Sequence, residues 1–175
     1  MAPGTLDWGP ATADLVAEPV AAALRSWPRS GEVMAVAIDP DVADTAAFCQ
    51  RYQVAPEDSA NCVVIAGRRG TEVSYAACVL LATTRADVNG IVRRRLGAKK
   101  ASFAPMDEAV GITGMEYGGI APVGLPDGWP ILVDSAVLRR ETVVIGSGLR
   151  RSKLALPASS LADLPGAEVV DGLAG

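Results

Sequence analysis

A chain of 175 residues has the length of one ordinary domain and can bury a substantial core. Half of its residues are hydrophobic and 21% are charged, a globular composition, and sixteen basic against twenty acidic side chains give a net charge of −4 that argues against broad non-specific DNA binding. Histidine is absent, which removes the usual general base of serine and cysteine hydrolases and the commonest ligand of catalytic zinc.

The spacing of Leu15, Val16, Val20, Ala23, Leu24 and Trp27 predicts a core-facing helix within 11–27, started or kinked at Pro19. Alternation over 32–38 predicts a strand, and 42–52 a short helix behind Asp39-Pro40. Two extended runs, 62–66 and 73–83, flank Gly67-Arg68-Arg69-Gly70 and predict a hairpin at the centre of a sheet. Next, Val88, Ile91, Val92 and Leu96 share one helical face, with Asp87 placed to cap its start and Gly97 its end. A short strand at 99–104 and a helical turn at 106–110 lead to a glycine- and proline-rich stretch without structural period. Strand-like runs at 130–134, 141–145 and 153–156 follow, then a short helix and an edge segment. The pattern predicts a mixed α+β fold, a curved, barrel-like sheet of about seven strands with surrounding helices, in one domain spanning 1–175.

No apolar run reaches the roughly 20 residues of a membrane span, and the N-terminus lacks a basic signal-peptide region, so a cytoplasmic protein without membrane contact is expected. Cys49, Cys62 and Cys78 are odd in number and widely spaced, which offers neither a disulfide framework nor a CxxC site. Cys62 has no histidine to activate it as a nucleophile, and a buried strand thiol is the better account. No cofactor and no metal site are expected.

The stretch 114–134, GMEYGGIAPVGLPDGWPILVD, demands an explanation, because a loop this rich in glycine and proline inside a compact domain is usually functional. It fits either a surface crossover needing tight turns or a binding loop whose backbone approaches a ligand closely. Neither GxGxxG nor GxxxxGK spacing is present, so nucleotide phosphate is not the favoured ligand.

At Gly118-Gly119-Ile120-Ala121-Pro122 the sequence resembles the YbaK/EbsC family, which also occurs as the editing insertion of bacterial prolyl-tRNA synthetases and as free-standing ProXp-type factors. The five residues match that family's GxxxP signature, and the resemblance runs over 32–164 in the family's order, including ADVNGIVRRRLGAKKASFA, PILVDSAVL and ETVVIGSGLRRSKLAL. It implies a soluble domain that hydrolyses the ester between a wrong, small amino acid and tRNA, without metal or covalent intermediate. The GxxxP backbone would orient the ester and a water, with help from the terminal ribose 2′-hydroxyl, so catalysis would rest on positioning and dipoles. Gly118 becomes the leading catalytic contact, and Gly119, Ile120, Ala121 and Pro122 the substrate cradle.

Asp134 aligns with a frequent family acid and either holds the substrate amine, braces the loop, or caps a turn after its strand. Gly146-Ser147-Gly148 matches another family turn near the site. Many members carry a lysine where this chain has Asn61, in Ala60-Asn61-Cys62-Val63. Asn61 either replaces it as an orienting amide or marks a module that binds aminoacyl-tRNA, a nucleotide or a protein partner without turnover. Lys99, Lys100, Arg150, Arg151 and Lys153 are the basic residues expected to meet the tRNA acceptor end. An aminoacyl-tRNA synthetase is a second candidate partner, and the chain is expected to be a monomer or homodimer.

Overall fold

A computed structural model describes residues 2–175. The N-terminal arm supplies the two-residue strand β1 (Gly9–Pro10), a 3-10 turn at Ala13–Leu15, and helix α1 (Glu18–Ser26). Pro19 lies in the first turn of α1, where its missing N–H forfeits no helical hydrogen bond, so it starts the helix rather than bending it. Val20 and Ala21 are the buried residues of α1, and Trp27, just beyond its end, is also buried.

Strand β2 (Met34–Ala37) and helix α2 (Thr45–Tyr52) come next, followed by the hairpin of β3 (Ala60–Arg69) and β4 (Glu72–Leu81). Pairing runs from Ala60↔Leu81 to Arg69↔Glu72, so the reversal is confined to Gly70 and Thr71. The four-residue turn expected at 67–70 is therefore mostly strand. Gly67 belongs in it because a Cβ there would stand 2.9 Å from Leu96 Cδ1, so its bare backbone admits the next helix.

That helix, α3, is a wide π turn at Val88–Val92 running into α-helical Arg93–Arg95. The Asp87 carboxylate caps it by accepting from Gly90 N–H at 3.0 Å and Ile91 N–H at 3.2 Å. Strand β5 (Lys100–Phe103) and helix α4 (Met106–Thr113) lead into the glycine loop, and β6 (Ile131–Asp134), α5 (Ser135–Leu138), β7 (Thr142–Gly146), β8 (Ser152–Pro157) and β9 (Ala167–Val170) complete the chain.

The strands form two open sheets, ordered β1-β2-β8-β7 and β5-β3-β4-β6-β9. The first is antiparallel, whereas β6 pairs in parallel with both β4 and β9 in the second. The α+β class expected from the sequence is the observed one, although among the described residues nine strands in two open sheets replace about seven in one barrel-like sheet. Residues from both sheets and α1, among them Val20, Val79, Val133, Ile145 and Leu156, make the principal core. A second cluster joins β2, β7 and β8 to α2 through Val36, Phe48, Val144 and Ala155. A third sets α3 and the C-terminal segment against the five-stranded sheet through Ile65, Leu132, Val92 and Leu173. No helix among the described residues is long and apolar enough to cross a membrane.

Candidate functional site

The stretch between α4 and β6 contains no helix or strand, yet it is firmly seated. Met115 is buried at its start, and the Ala121 N–H points at its Sδ from 3.3 Å. Gly119 holds the middle: its N–H donates to Glu116 O at 3.0 Å and its carbonyl accepts from Gly148 N–H at 2.6 Å. A Cβ on Gly119 would stand 2.6 Å from Leu149 O, so a side chain would lift the loop off the β7–β8 connection. Gly118 has φ +83, in the left-handed region that favours glycine, and a Cβ there would collide with Arg150 Nη1. The glycines at 118 and 119 thus serve different ends, one conformation and the other close approach.

Gly146, the last residue of β7, receives this loop. A Cβ at Gly146 would lie 2.6 Å from the carbonyls of both Gly119 and Ile120, so the GxxxP backbone rests directly on the bare strand. Beside the contact opens a cavity of about 610 Å³ lined by Gly118, Ile120, Gly146, Asn61, Arg150 and Lys153, with Asp44 and Thr45 from the start of α2 and Phe103, Met106 and Tyr117 also on its walls. This is the size of a small-molecule site.

The cavity gathers six of the residues expected from the sequence and leaves the others outside. Ala121 is buried in the principal core. Pro122 lines a separate cleft with Trp27 and Trp129. Ser147 is buried in a polar knot, where its Oγ accepts from Leu149 N–H at 3.1 Å and lies 2.7 Å from Ser152 Oγ. Gly148, with φ +88, packs on Ala17. Lys99, Lys100 and Arg151 are exposed and do not line the cavity.

Asp134 is likewise absent from the cavity wall. It is buried at the end of β6, held near the backbone N–H groups of Ala136, Leu173 and Ala174, and its Oδ2 has no hydrogen-bond partner among the described residues. Burial raises its pKa above the ordinary 3.8 despite those amides. Of the three roles weighed for it, capping the turn after its strand fits this placement, because Asp134 stands at the start of α5 beside the Ala136 N–H, and neither the substrate cavity nor the glycine loop is what it faces.

Asn61 reaches the cavity from β3, and its Oδ1 accepts from Thr45 Oγ1 at 2.7 Å. That bond fixes the amide and leaves its N–H pair to donate elsewhere. Cys62, its neighbour, has its thiol pushed up by desolvation and lacks a base, so the nucleophile reading finds no support. Arg150 is committed to the scaffold: Nη1 donates to Tyr117 O at 3.2 Å, Nη2 to Pro40 O at 3.1 Å, and its backbone N–H to Glu116 Oε1 at 2.8 Å.

Several site residues were not singled out in the sequence. Thr45, Asp44, Phe103 and Tyr117 come from three separate segments and carry no shared spacing that would mark them. Exposure gives a signal only in the folded chain: Phe103 and Tyr117 are apolar-bodied side chains left 60% and 55% exposed at the mouth.

A family model for the aminoacyl-tRNA editing domain matches residues 39–164. The chain belongs to this family. A solved protein described as a proposed trans-editing enzyme for prolyl-tRNA synthetase is similar at 23% identity, with TM-score 0.74 over 87% of this chain and 93% of that one. A hypothetical protein shares 22% identity with TM-score 0.77 over 90% of this chain and 100% of its own. A computationally designed scaffold for presenting epitopes matches at 22% identity and TM-score 0.75, over 89% and 95% of the two chains. At these identities the structures establish a shared fold, while the family model carries the link to editing.

Proposed function

We propose that this protein is a trans-editing deacylase that hydrolyses the ester joining a mischarged small amino acid to the end of its tRNA, releasing the free amino acid. The observation that carries the reading is the seating of the GxxxP backbone on Gly146 beside a cavity that Gly118, Ile120 and Asn61 all line. Main-chain dipoles held this rigidly suit a reaction in which charge develops on an ester oxygen, since they need no reorganisation when the charge appears. The Asn61 amide, fixed by Thr45, serves to orient a ribose hydroxyl or carbonyl. Asp44, at the cavity wall, offers the counter-charge for the substrate ammonium that Asp134 does not supply. A chain without histidine has no imidazole to serve as general base, so the main chain and the substrate's own hydroxyl are left to do that work.

A second reading, a module that binds aminoacyl-tRNA ends without turning them over, is favoured by one observation: the cavity residue Asn61 is a neutral amide, at the position where the family resemblance implies a lysine. Release of labelled amino acid from Ala-, Cys-, Ser- and Thr-charged tRNA, with EDTA-treated protein, separates the two. Turnover by the wild type that collapses in Gly118→Ala supports editing at this loop. Tight binding with no turnover across the panel supports the binding module.

A further inference from the structure

The cavity contains one buried cation that no carboxylate contacts in an ion pair among the described residues. Lys153 projects from β8 and is only 7% exposed, yet its ammonium takes part in none of the side-chain hydrogen bonds or ion pairs found among the described residues. Its Nζ lies 5.3 Å from the centroid of the Phe48 ring, a contact that tolerates a cation without neutralising it. A buried ammonium with no carboxylate in direct contact is costly, and Asp44 on the same cavity acts on it only from a distance.

Its position shows what uses it. Lys153 pairs with Gly146 across the β7–β8 ladder, and side chains at paired positions lie on the same face of a sheet. On that face Gly146 is covered by the carbonyls of Gly119 and Ile120, so the loop and the lysine share one wall of the cavity. The other cation of that wall, Arg150, already donates to two backbone carbonyls and can offer a ligand far less. Lys153 also sits deep, where a compact reacting group fits better than a hydrated phosphate.

We propose, resting on the deacylase reading above, that Lys153 is a catalytic residue whose ammonium stabilises the oxyanion formed on the ester carbonyl. Water adds to the carbonyl carbon, forming a C–O bond as the π pair moves onto the oxygen that faces Lys153. Collapse restores the C=O and breaks the bond to the ribose oxygen, which ends with the proton the water gave up. Lys153 remains protonated throughout, and free amino acid and tRNA are the products. The neutral Asn61 is then no loss of the site's cation, because the opposite sheet supplies one.

The test is single-turnover and steady-state deacylation of the four-member tRNA panel by wild type, Lys153→Met and Lys153→Arg. Lys153→Met should lose about 10²-fold in kcat on every substrate the wild type accepts, with KM little changed, because the missing charge acts only on the transition state. Its melting temperature should equal or exceed that of the wild type, since an apolar chain of similar shape replaces a desolvated ammonium. Lys153→Arg should recover at least a tenth of the rate. Burial lowers the Lys153 pKa below the ordinary 10.5, an effect that Cys49 and Asp44 oppose and Arg150 reinforces. Uncatalysed hydrolysis subtracted, the wild-type rate should therefore fall on raising the pH toward 10.5, and the arginine variant should not show that fall. A kcat within threefold of wild type in Lys153→Met overturns the proposal while leaving editing intact. A loss confined to one aminoacyl species, or a rise in KM alone, also overturns it and points to side-chain or phosphate recognition. No wild-type turnover on any substrate overturns both this role and the editing reading.

Discussion

Two buried charges occupy strand positions in the two sheets, and they have opposite surroundings. Asp134, at the end of β6, lies beneath the C-terminal segment with backbone amides around it and does not line the candidate cavity. Lys153, near the start of β8, has an aromatic ring on one side and open cavity on the other. Burial shifts both pKa values toward the neutral form, yet of the two only Lys153 lines the candidate cavity. A perturbed ionisable group is a sign of strain in the fold, and it becomes a sign of chemistry only when it borders space that a substrate can enter.

The strongest way to sharpen that contrast is to change the loop beside Lys153. Gly118→Ala should reduce deacylation about 10²- to 10³-fold, because alanine at φ +83 strains the loop and its methyl displaces the Arg150 guanidinium from Tyr117. Far-UV circular dichroism should remain that of the wild type; an active Gly118→Ala protein would remove the loop from the mechanism.

On the other side of the comparison, Asp134→Ala should lower stability by about 1–3 kcal/mol by leaving backbone amides of the C-terminal segment without an acceptor. Denaturant unfolding measures this, and the folded variant should retain the wild-type kcat. A selective loss of activity would place Asp134 in the site after all.

The two charges should also give opposite pH signatures. For Asp134 the folded pKa lies above 3.8, so its unfavourable burial is absent below that value and fully present once pH has risen through the folded pKa. For Lys153 the folded pKa lies below 10.5, so its penalty is present at neutral pH and disappears as pH rises toward 10.5. The stability difference between Lys153→Met and wild type should accordingly shrink between neutral pH and 10.5, whereas that of Asp134→Asn should shrink on acidification. Chemical unfolding across pH decides this, and a pH-independent difference for either variant contradicts the assignment.

The smallest expected effect is at the mouth. Asp44→Asn should raise KM a few-fold with little change in kcat, as befits an exposed charge pair in water. A kcat collapse instead would mean that Asp44 acts on the reacting atoms.

Local chemistry determined much of this protein directly from the order of its residues. The caps at Asp87 and Gly97, the helix start at Pro19, the strand at β6 and the absence of helix or strand in the long glycine loop all depend on near neighbours, whose backbone preferences do not need the rest of the chain. The GxxxP signature belongs to the same class, since Gly118 owes its role to a local φ. A boundary moved where a distant partner intervened: the strand β3 runs through Gly67, whose bare backbone lets Leu96 pack against it.

The assembly of the site was decided by tertiary structure. In the run Ser152–Pro157 the lysine alternates with Leu154 and Leu156, which reads as a strand with one wet face. That face is dry because α2 lies across it, bringing Phe48 to Lys153. Asn61, Thr45, Gly118 and Lys153 are separated in sequence by stretches whose path depends on how two sheets stack around a common core. Periodicity records which side of an element is apolar, but only packing establishes whether its other side meets water, a helix or a cavity.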